Sequence, residues 1–247
     1  MISFLAFFLM WAERMNWDVP DCHYQACHWL EHRGNLAVLR CFRGFGKSTI
    51  LAVYNAWRYY CDRQYRILHQ SESDGTAYKT SRDTQNVLRN HPLTKGMLPD
   101  GQGTVGAMGV NGALDLRNGS MYAKGILSNV TSARANECQN DDVEVPRNIQ
   151  TPEAREKLRY RLGEQTHILI PAAASFISVH RTHMTAFMMR WSLWGPTVLP
   201  SGYLIKKSAL KRKRPRSCAT PCLFARIMFL LASTRRRGCW SKMWIIS

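Results

Sequence analysis

One short segment combines glycines, a lysine and hydroxyl groups in a spacing that could bind nucleotide phosphates. It reads Cys41-Phe42-Arg43-Gly44-Phe45-Gly46-Lys47-Ser48-Thr49. A P-loop wraps backbone N–H groups around phosphate oxygens at the N-terminus of a helix, where the helix dipole also favours anions. Gly44 and Gly46 would let the backbone approach the phosphates closely. Lys47 would reach the β- and γ-phosphates and the Ser48 hydroxyl would bind magnesium, so the segment predicts a site for ATP and Mg²⁺.

The segment departs from the usual phosphate-binding pattern at one position. That pattern begins with a glycine six positions before the lysine, and Cys41 stands there. A glycine-bearing turn that binds nothing is the alternative interpretation. The phosphate-binding interpretation is favoured because an apolar strand pattern precedes the loop and a helical pattern follows it, as the mechanism requires.

A downstream acidic segment could supply the carboxylates that a P-loop ATPase needs. Three acids lie within the four residues Asp141-Asp142-Val143-Glu144. We predict that Asp141 binds Mg²⁺ and that Asp142 or Glu144 is the base that activates the attacking water. A solvated acidic turn is the alternative. A metal-binding carboxylate of this kind normally ends an apolar strand, whereas residues 135–140 are polar, and the sequence offers no physical reason for that polarity.

The surrounding elements must bring the loop and the acids together. Apolar periodicity and turn residues predict helices over residues 1–34 (broken at Pro20), 48–60, 73–90 and 151–162, and strands over 35–42, 65–70 and within 101–123. The last of these helices should begin at Thr151-Pro152, a capping residue followed by proline. Strands that alternate with helices predict an α/β fold, here a P-loop NTPase core with a mostly parallel sheet flanked by helices.

Charge divides the chain into two unlike segments. The 247 residues carry a net charge of +17, but residues 165–247 contain 14 of the 34 Lys and Arg and none of the 17 Asp and Glu. Average usage would place roughly ten acids in that stretch. Clusters such as Lys211–Arg214 could bind DNA non-specifically. A noncatalytic basic DNA-binding protein that acts through its tail is therefore the alternative function.

The cysteines and the apolar first residues bear on location. Eight cysteines are scattered without a disulfide-like framework, and residues 1–11 lack the features of a signal peptide. We therefore predict a cytoplasmic protein of the host cell with no transmembrane helix. Cys22, Cys27, His28 and His32 have a spacing that zinc could use, but the adjacent Cys27 and His28 point in different directions on a helix, which disfavours that site.

Together these segments resemble the terminase large subunits of short-tailed bacteriophages. Arg43 to Ser48 is similar to the family's variant Walker A loop, which often lacks the first glycine. Asp141 to Pro146, followed by Glu153 to Leu158, is similar to the Walker B region of the family, and Pro20 to Gln25 resembles the segment that packs near the adenine. The resemblance covers residues 1 to about 171.

The resemblance implies an ATP-driven motor domain that packages viral DNA into the procapsid. It implies that Arg43 contacts the γ-phosphate as a charge-stabilising arginine. It also implies that the nucleotide is bound by Gln25 and by the loop residues Gly44, Phe45, Gly46, Lys47, Ser48 and Thr49. As partners it implies double-stranded DNA, the terminase small subunit, the portal protein and further copies in a homo-oligomeric ring. In this family a nuclease domain follows the motor, and we expect residues 1–247 not to include it.

The family pattern stops near Pro171, and we predict a boundary there. Residues 1–171 would be an incomplete ATPase domain, and residues 172–247 a disordered or non-native tail without a core. The Gly-Thr-Pro coupling segment of the family is absent from the sequence as written. If each codon is instead read from the third base of the written codon, Met184-Thr185 and Met188-Met189 each encode an Asp. We therefore predict a frameshift near Pro171, which resequencing across codon 171 would test. We also predict that this fragment is non-functional in packaging or cutting DNA by itself.

Overall fold

Helices and strands alternate along the part of the chain that the structure describes. This computed structural model describes residues 1–99, 104–115, 119–130, 133–180 and 197–199, with residues 171–180 and 197–199 described by their backbone alone. The helices are α1 (Phe4–Arg14), α2 (Asp21–His32), α3 (Lys47–Cys61), α4 (Asp74–Asn90), α5 (Pro146–Ile149) and α6 (Pro152–Ile168). The strands are β1 (Leu36–Cys41), β2 (Ile67–Ser71), β3 (Ala107–Met108), β4 (Met121–Gly125), β5 (Ala135–Asp141), β6 (Leu169–His180) and β7 (Thr197–Leu199).

One mostly parallel sheet contains all of these strands, in the order β3-β4-β2-β5-β6-β1-β7. Only the pairing of β3 with β4 is antiparallel, as the prediction of hairpin strands in that region requires. The predicted α/β class, with a mostly parallel sheet flanked by helices, is confirmed. Because the carboxyl ends of parallel strands meet at one edge of a sheet, the residues that follow β1, β2 and β5 lie on the same side of the molecule.

Local capping explains where several helices begin. The side chain of Ser73 accepts a hydrogen bond from the Thr76 N–H at the start of α4. Thr151 does the same for Ala154 at the start of α6, with Pro152 as the first helical residue. A hydroxyl at the N-cap satisfies one of the N–H groups that the first turn leaves without a helical partner. The predicted start of the helix at Thr151-Pro152 is confirmed.

The largest apolar cluster packs α1, α2 and α3 against one face of the sheet. Phe4, Phe7 and Phe8 of α1 are buried there, together with most of the length of α3. The predicted break between the first two helices is present, with Pro20 as the N-cap of α2, although α1 already ends at Arg14. This packing fixes the position of α3, whose first turn borders the predicted phosphate-binding loop.

Strand β6 crosses the boundary that the sequence predicted at Pro171. It pairs with β1 from Ser175 to His180 and with β5 as far as Ser178, so it lies between the strand before the loop and the strand before the acids. The prediction that residues 172–247 form a tail without a core is therefore wrong for residues 174–180, which pair with β1 or β5. The physical reason is that β1 and β5 would each expose a row of unpaired N–H and C=O groups without a strand between them.

The rest of the predicted tail, apart from β7, lies outside the described residues, and the frameshift stays a prediction. Within the described ranges, every helix is too short or too polar to cross a bilayer.

Candidate nucleotide-binding site

The loop between β1 and α3 adopts a conformation that depends on its two glycines. Gly44 and Gly46 have φ of +84° and +82°, in the left-handed region that side chains with a Cβ disfavour. Cys41, at the place of the usual first glycine, is the buried last residue of β1. The loop proper therefore begins after Cys41, and the glycines are placed where the backbone turns.

Helix α3 begins at Lys47, directly after the loop. Its first backbone hydrogen bond runs from the Ile50 N–H to the Gly46 carbonyl, at 3.0 Å. The first N–H groups of an α-helix have no partner inside the helix, and the helix dipole makes that end electropositive. The loop and the first turn of α3 can therefore bind an anion such as a phosphate.

Lys47 connects the loop to the acidic segment after β5. Its ammonium lies 3.1 Å from Asp141 Oδ1 and donates a hydrogen bond to Asp142 Oδ2. Burial by itself would lower the pKa of Lys47, but the carboxylates of Asp141 and Asp142 outweigh it and raise that pKa above its ordinary value. The lysine is therefore charged and held between two carboxylates.

Asp141 also receives a hydrogen bond from the helix. The Ser48 hydroxyl donates to Asp141 Oδ2 at 2.7 Å, across 93 residues of sequence. Burial by itself would raise the pKa of Asp141, but the Lys47 ammonium and other neighbours outweigh it and hold that pKa below its ordinary value. The Ser71 hydroxyl at the end of β2 donates to the Asp141 backbone carbonyl at 2.8 Å, which fixes the backbone of the acid.

The residues at this point fit a bound magnesium ion. Mg²⁺ prefers hard oxygen ligands and usually takes only one or two of them from the protein. Ser48 Oγ and Asp141 Oδ2 are oxygens in direct contact, so both could face a single small cation. Among the described residues, no group of three or more His, Cys, Asp or Glu side chains is placed to hold a metal ion. A P-loop site requires no such group, since phosphate oxygens and water complete the coordination.

The two candidate bases have different surroundings. Asp142 has a φ of +49°, a conformation that Asp tolerates better than most residues, and its side chain is 40% exposed. Glu144 is buried. Both follow Asp141 at the edge of the sheet where the loop lies, and the choice between them stays a prediction.

The polar side chains of β5, which the sequence did not explain, form buried hydrogen bonds on the side of the sheet that faces α3. Glu137 is fully buried and pairs with Arg33, the residue after α2, at 2.6 Å. The Tyr65 hydroxyl donates to the same carboxylate at 2.9 Å. Gln139 donates to Asn55 of α3 at 2.7 Å. Each polar side chain on this face thus has a partner, which is the condition for burying it without a large desolvation cost.

The opposite face of β5 carries a second buried polar contact. Asn140 exchanges hydrogen bonds with Gln165 of α6, and Gln165 also donates to Gln70 of β2. Three amides therefore connect α6 to two neighbouring strands. Because Asn140 directly precedes Asp141, this contact also fixes the end of β5.

Three other predicted residues lie on the surface of the loop region. Arg43 and Thr49 are exposed, and so is Gln25 of α2. The residue of α2 that contacts the loop is His23, whose Nε2 lies 2.7 Å from the Phe45 carbonyl oxygen. The sequence had singled out the segment that contains His23, but nothing in its composition distinguishes this histidine from its neighbours. Only the packing of α2 against the loop selects it.

Comparison with known proteins gives a relative by sequence similarity. No family model matches the chain. A terminase large subunit from Enterobacteria phage T3 is 32% identical over 192 residues, which cover 75% of this chain and 33% of that protein. The chain thus spans about a third of the length of this relative.

Two solved structures share the fold. The large terminase of bacteriophage HK97 superposes with a TM-score of 0.51 at 13% identity, over 78% of this chain and 42% of that one. Dbp5 of S. cerevisiae, in a complex with Nup159, Gle1, IP6 and ADP, has a TM-score of 0.51 at 12% identity, over 80% of this chain and 52% of that one. At such low identities, these two likenesses show the fold alone.

Proposed function

We propose that this chain, which over its matched part belongs to the terminase large subunit family, is an ATP-hydrolysing motor domain for packaging viral DNA. The packaging role is proposed from the similarity to the phage T3 protein, and the ATPase chemistry is proposed from the loop before α3. We propose the ATPase activity and its residue assignments from the geometry of this site and from the family resemblance.

The contact of Ser48 with Asp141 carries the proposal. It joins the helix after a glycine loop to the acid at the end of a neighbouring strand, at 2.7 Å. A P-loop ATPase needs a hydroxyl and a carboxylate at one point, because both hold the magnesium ion of the nucleotide. A solvated acidic turn does not account for an Asp141 side chain that is only 5% exposed.

The remaining roles are proposed from the position of each residue or, for Arg43 and Gln25, from the family resemblance alone. The loop N–H groups and Lys47 would bind the phosphates, and Lys47 would then exchange part of its contact with Asp141 and Asp142 for phosphate oxygens. Ser48 and Asp141 would hold Mg²⁺, which would supply positive charge to neutralise charge that develops on the phosphates. Asp142 or Glu144 would accept a proton from the attacking water. Exposed Arg43 would turn toward the γ-phosphate, and exposed Gln25 toward the adenine.

The partners of this function follow from the family. Double-stranded DNA, the terminase small subunit and the portal protein of the procapsid are the proposed partners. A homo-oligomeric ring is the proposed assembly.

Nucleotide binding by the full chain tests this proposal. We expect calorimetry to detect Mg²⁺-dependent ATP binding and a phosphate-release assay to detect hydrolysis. Lys47→Ala should weaken binding because it removes a cation that would contact the phosphates, and Asp141→Asn should lower hydrolysis by on the order of a hundredfold or more because it removes a charged ligand of Mg²⁺. Lys157→Ala on the exposed face of α6 is the control and should leave both unchanged.

The same variants separate the motor from a noncatalytic DNA-binding protein. If the full chain neither binds nor hydrolyses ATP, yet binds DNA with an affinity that Lys47→Ala leaves unchanged, the motor proposal is wrong and the basic-tail alternative is supported.

A further inference from the structure

Helix α2 contacts the phosphate-binding loop through one histidine. His23 Nε2 lies 2.7 Å from the Phe45 carbonyl oxygen, a distance of a strong hydrogen bond. The ring also packs edge-to-face against Phe45, at 5.1 Å between ring centroids, and against Phe8 of α1, at 6.1 Å. Two aromatic neighbours therefore hold the imidazole in place beside the loop.

The chemistry of the acceptor determines which atom of His23 carries a proton. A carbonyl oxygen can only accept a hydrogen bond, so Nε2 must be the donor. Burial lowers the pKa of His23, although its bond to the Phe45 carbonyl opposes that shift. A protonated ring would also donate from Nε2, so the contact persists in either form.

The hydrogen bond from His23 to the Phe45 carbonyl also determines where the next backbone N–H, that of Gly46, points. Its carbonyl belongs to the peptide that joins Phe45 to Gly46, one step before α3, and no peptide in the described chain is cis. The C=O and N–H of a trans peptide point in opposite directions. A Phe45 carbonyl directed toward His23 therefore turns the Gly46 N–H to the opposite side of the loop.

Phosphate binding requires this orientation. A P-loop presents its N–H groups to the anion, and a carbonyl that faced the anion would repel it. The neighbouring Gly46 carbonyl is fixed by α3, since it accepts from the Ile50 N–H at 3.0 Å. The Phe45 carbonyl precedes the helix, and glycine at position 46 allows its peptide more rotation than another residue would. An external donor is what limits that rotation.

We propose that His23 is a positioning residue of the nucleotide site, which holds the Phe45–Gly46 peptide with its N–H directed at the phosphates. This inference rests on the proposed function and adds a residue that acts through the loop backbone. It differs from the role proposed for Gln25 on the same helix, which would contact the adenine.

Binding of two probes to variants of the full chain tests the proposal. The probes are ATP and inorganic pyrophosphate, each with Mg²⁺, and the measurement is the dissociation constant by calorimetry. His23→Leu removes the donor and should raise both dissociation constants on the order of tenfold. His23→Gln keeps an amide N–H of similar reach and should restore both to within about threefold of the wild type. His28→Leu, the same change at an exposed position of α2, is the matched control.

The outcomes distinguish this inference from the proposed function. If the wild-type chain binds neither probe, the proposed function is wrong and the role of His23 is wrong with it. If the wild type binds both and His23→Leu binds both equally well, only the positioning role is wrong. A loss of ATP binding without a loss of pyrophosphate binding would also overturn it, since His23 would then act on the adenine side. Should His23→Leu fail to fold, His23→Asn takes its place, because its shorter amide cannot reach the carbonyl.

Discussion

At the scale of single residues, the site places one cation between two acids. Lys47 contacts Asp141 and Asp142, and the Asp141 side chain is only 5% exposed. An ionised carboxylate that is removed from water needs a compensating charge, so Lys47 stabilises the apo fold as well as serving the nucleotide. Because Asp141 loses its charge when it is protonated, the contribution of Lys47 to stability depends on pH.

We expect Lys47→Met to lower the free energy of unfolding at pH 7 by on the order of 3 kcal/mol, because it leaves a buried carboxylate unpaired. In the wild type, Lys47 holds the pKa of Asp141 below its ordinary value, so that stabilisation is present above the unfolded pKa of about 4 and is lost as the pH falls through the folded pKa. In the variant, burial raises that pKa, and protonation of Asp141 favours the fold. The difference between the two proteins should therefore shrink as the pH is lowered from 7 toward 4.

Urea unfolding of the wild type and of Lys47→Met at several pH values measures this difference. Lys157→Met, at an exposed position, is the control. A difference that stays constant or grows on acidification would contradict the assignment of Lys47 as the charge partner of Asp141.

At the scale of elements, a buried ion pair connects α2 to β5. Arg33 follows α2, three residues before the start of β1, and Glu137 lies near the middle of β5. Both side chains are buried, at 4% and 0% exposure. The pair therefore connects the segment before β1, the strand that leads into the loop, with β5, the strand that ends at Asp141. Breaking one member of such a pair costs more than replacing both, because a lone buried charge remains.

We expect Glu137→Leu and Arg33→Met each to lower the free energy of unfolding by about 3–5 kcal/mol, and the double variant to lower it by less than either single change. Urea unfolding of the four proteins completes the cycle. The exposed pair of Glu156 and Arg159 on α6, with side chains 73% and 46% exposed, is the matched control and should give a coupling energy below about 1 kcal/mol. Additive effects at Glu137 and Arg33 would show that the two charges do not depend on each other.

At the scale of the whole molecule, the position of β6 sets the minimal folding unit. The compact unit that contains the site runs from Met1 to Leu204. Within it, β6 separates β1 from β5, so both strands that border the site depend on residues after Pro171.

We expect a chain that ends at residue 171 to lack a cooperative unfolding transition, because β1 and β5 lose the strand between them and the sheet is interrupted at its centre. A chain that ends at Leu204 keeps every strand of the sheet and should unfold cooperatively and bind Mg²⁺-ATP like the full chain. Circular dichroism during urea unfolding, with calorimetry for the nucleotide, compares the two. Cooperative unfolding and ATP binding by residues 1–171 would mean that β6 is dispensable.

The sequence determined the features that depend on neighbouring residues. The helix start at Thr151-Pro152 and the turn at Gly44 and Gly46 follow from a capping residue with its proline and from the missing Cβ of glycine. Each of these is a local rule, so it can be applied without knowledge of the fold. The α/β class followed as well, because alternating strand and helix patterns lead to a parallel sheet.

Tertiary structure decided the features that depend on distant residues. It placed β6 between β1 and β5, supplied buried partners for the polar side chains of β5, and selected His23 as the residue that contacts the loop. Strand order and hydrogen-bond partners join segments dozens of residues apart, and a polar residue is compatible with the interior only when such a partner is present. A polar strand therefore looks out of place in the sequence, whereas in the folded chain its side chains are paired.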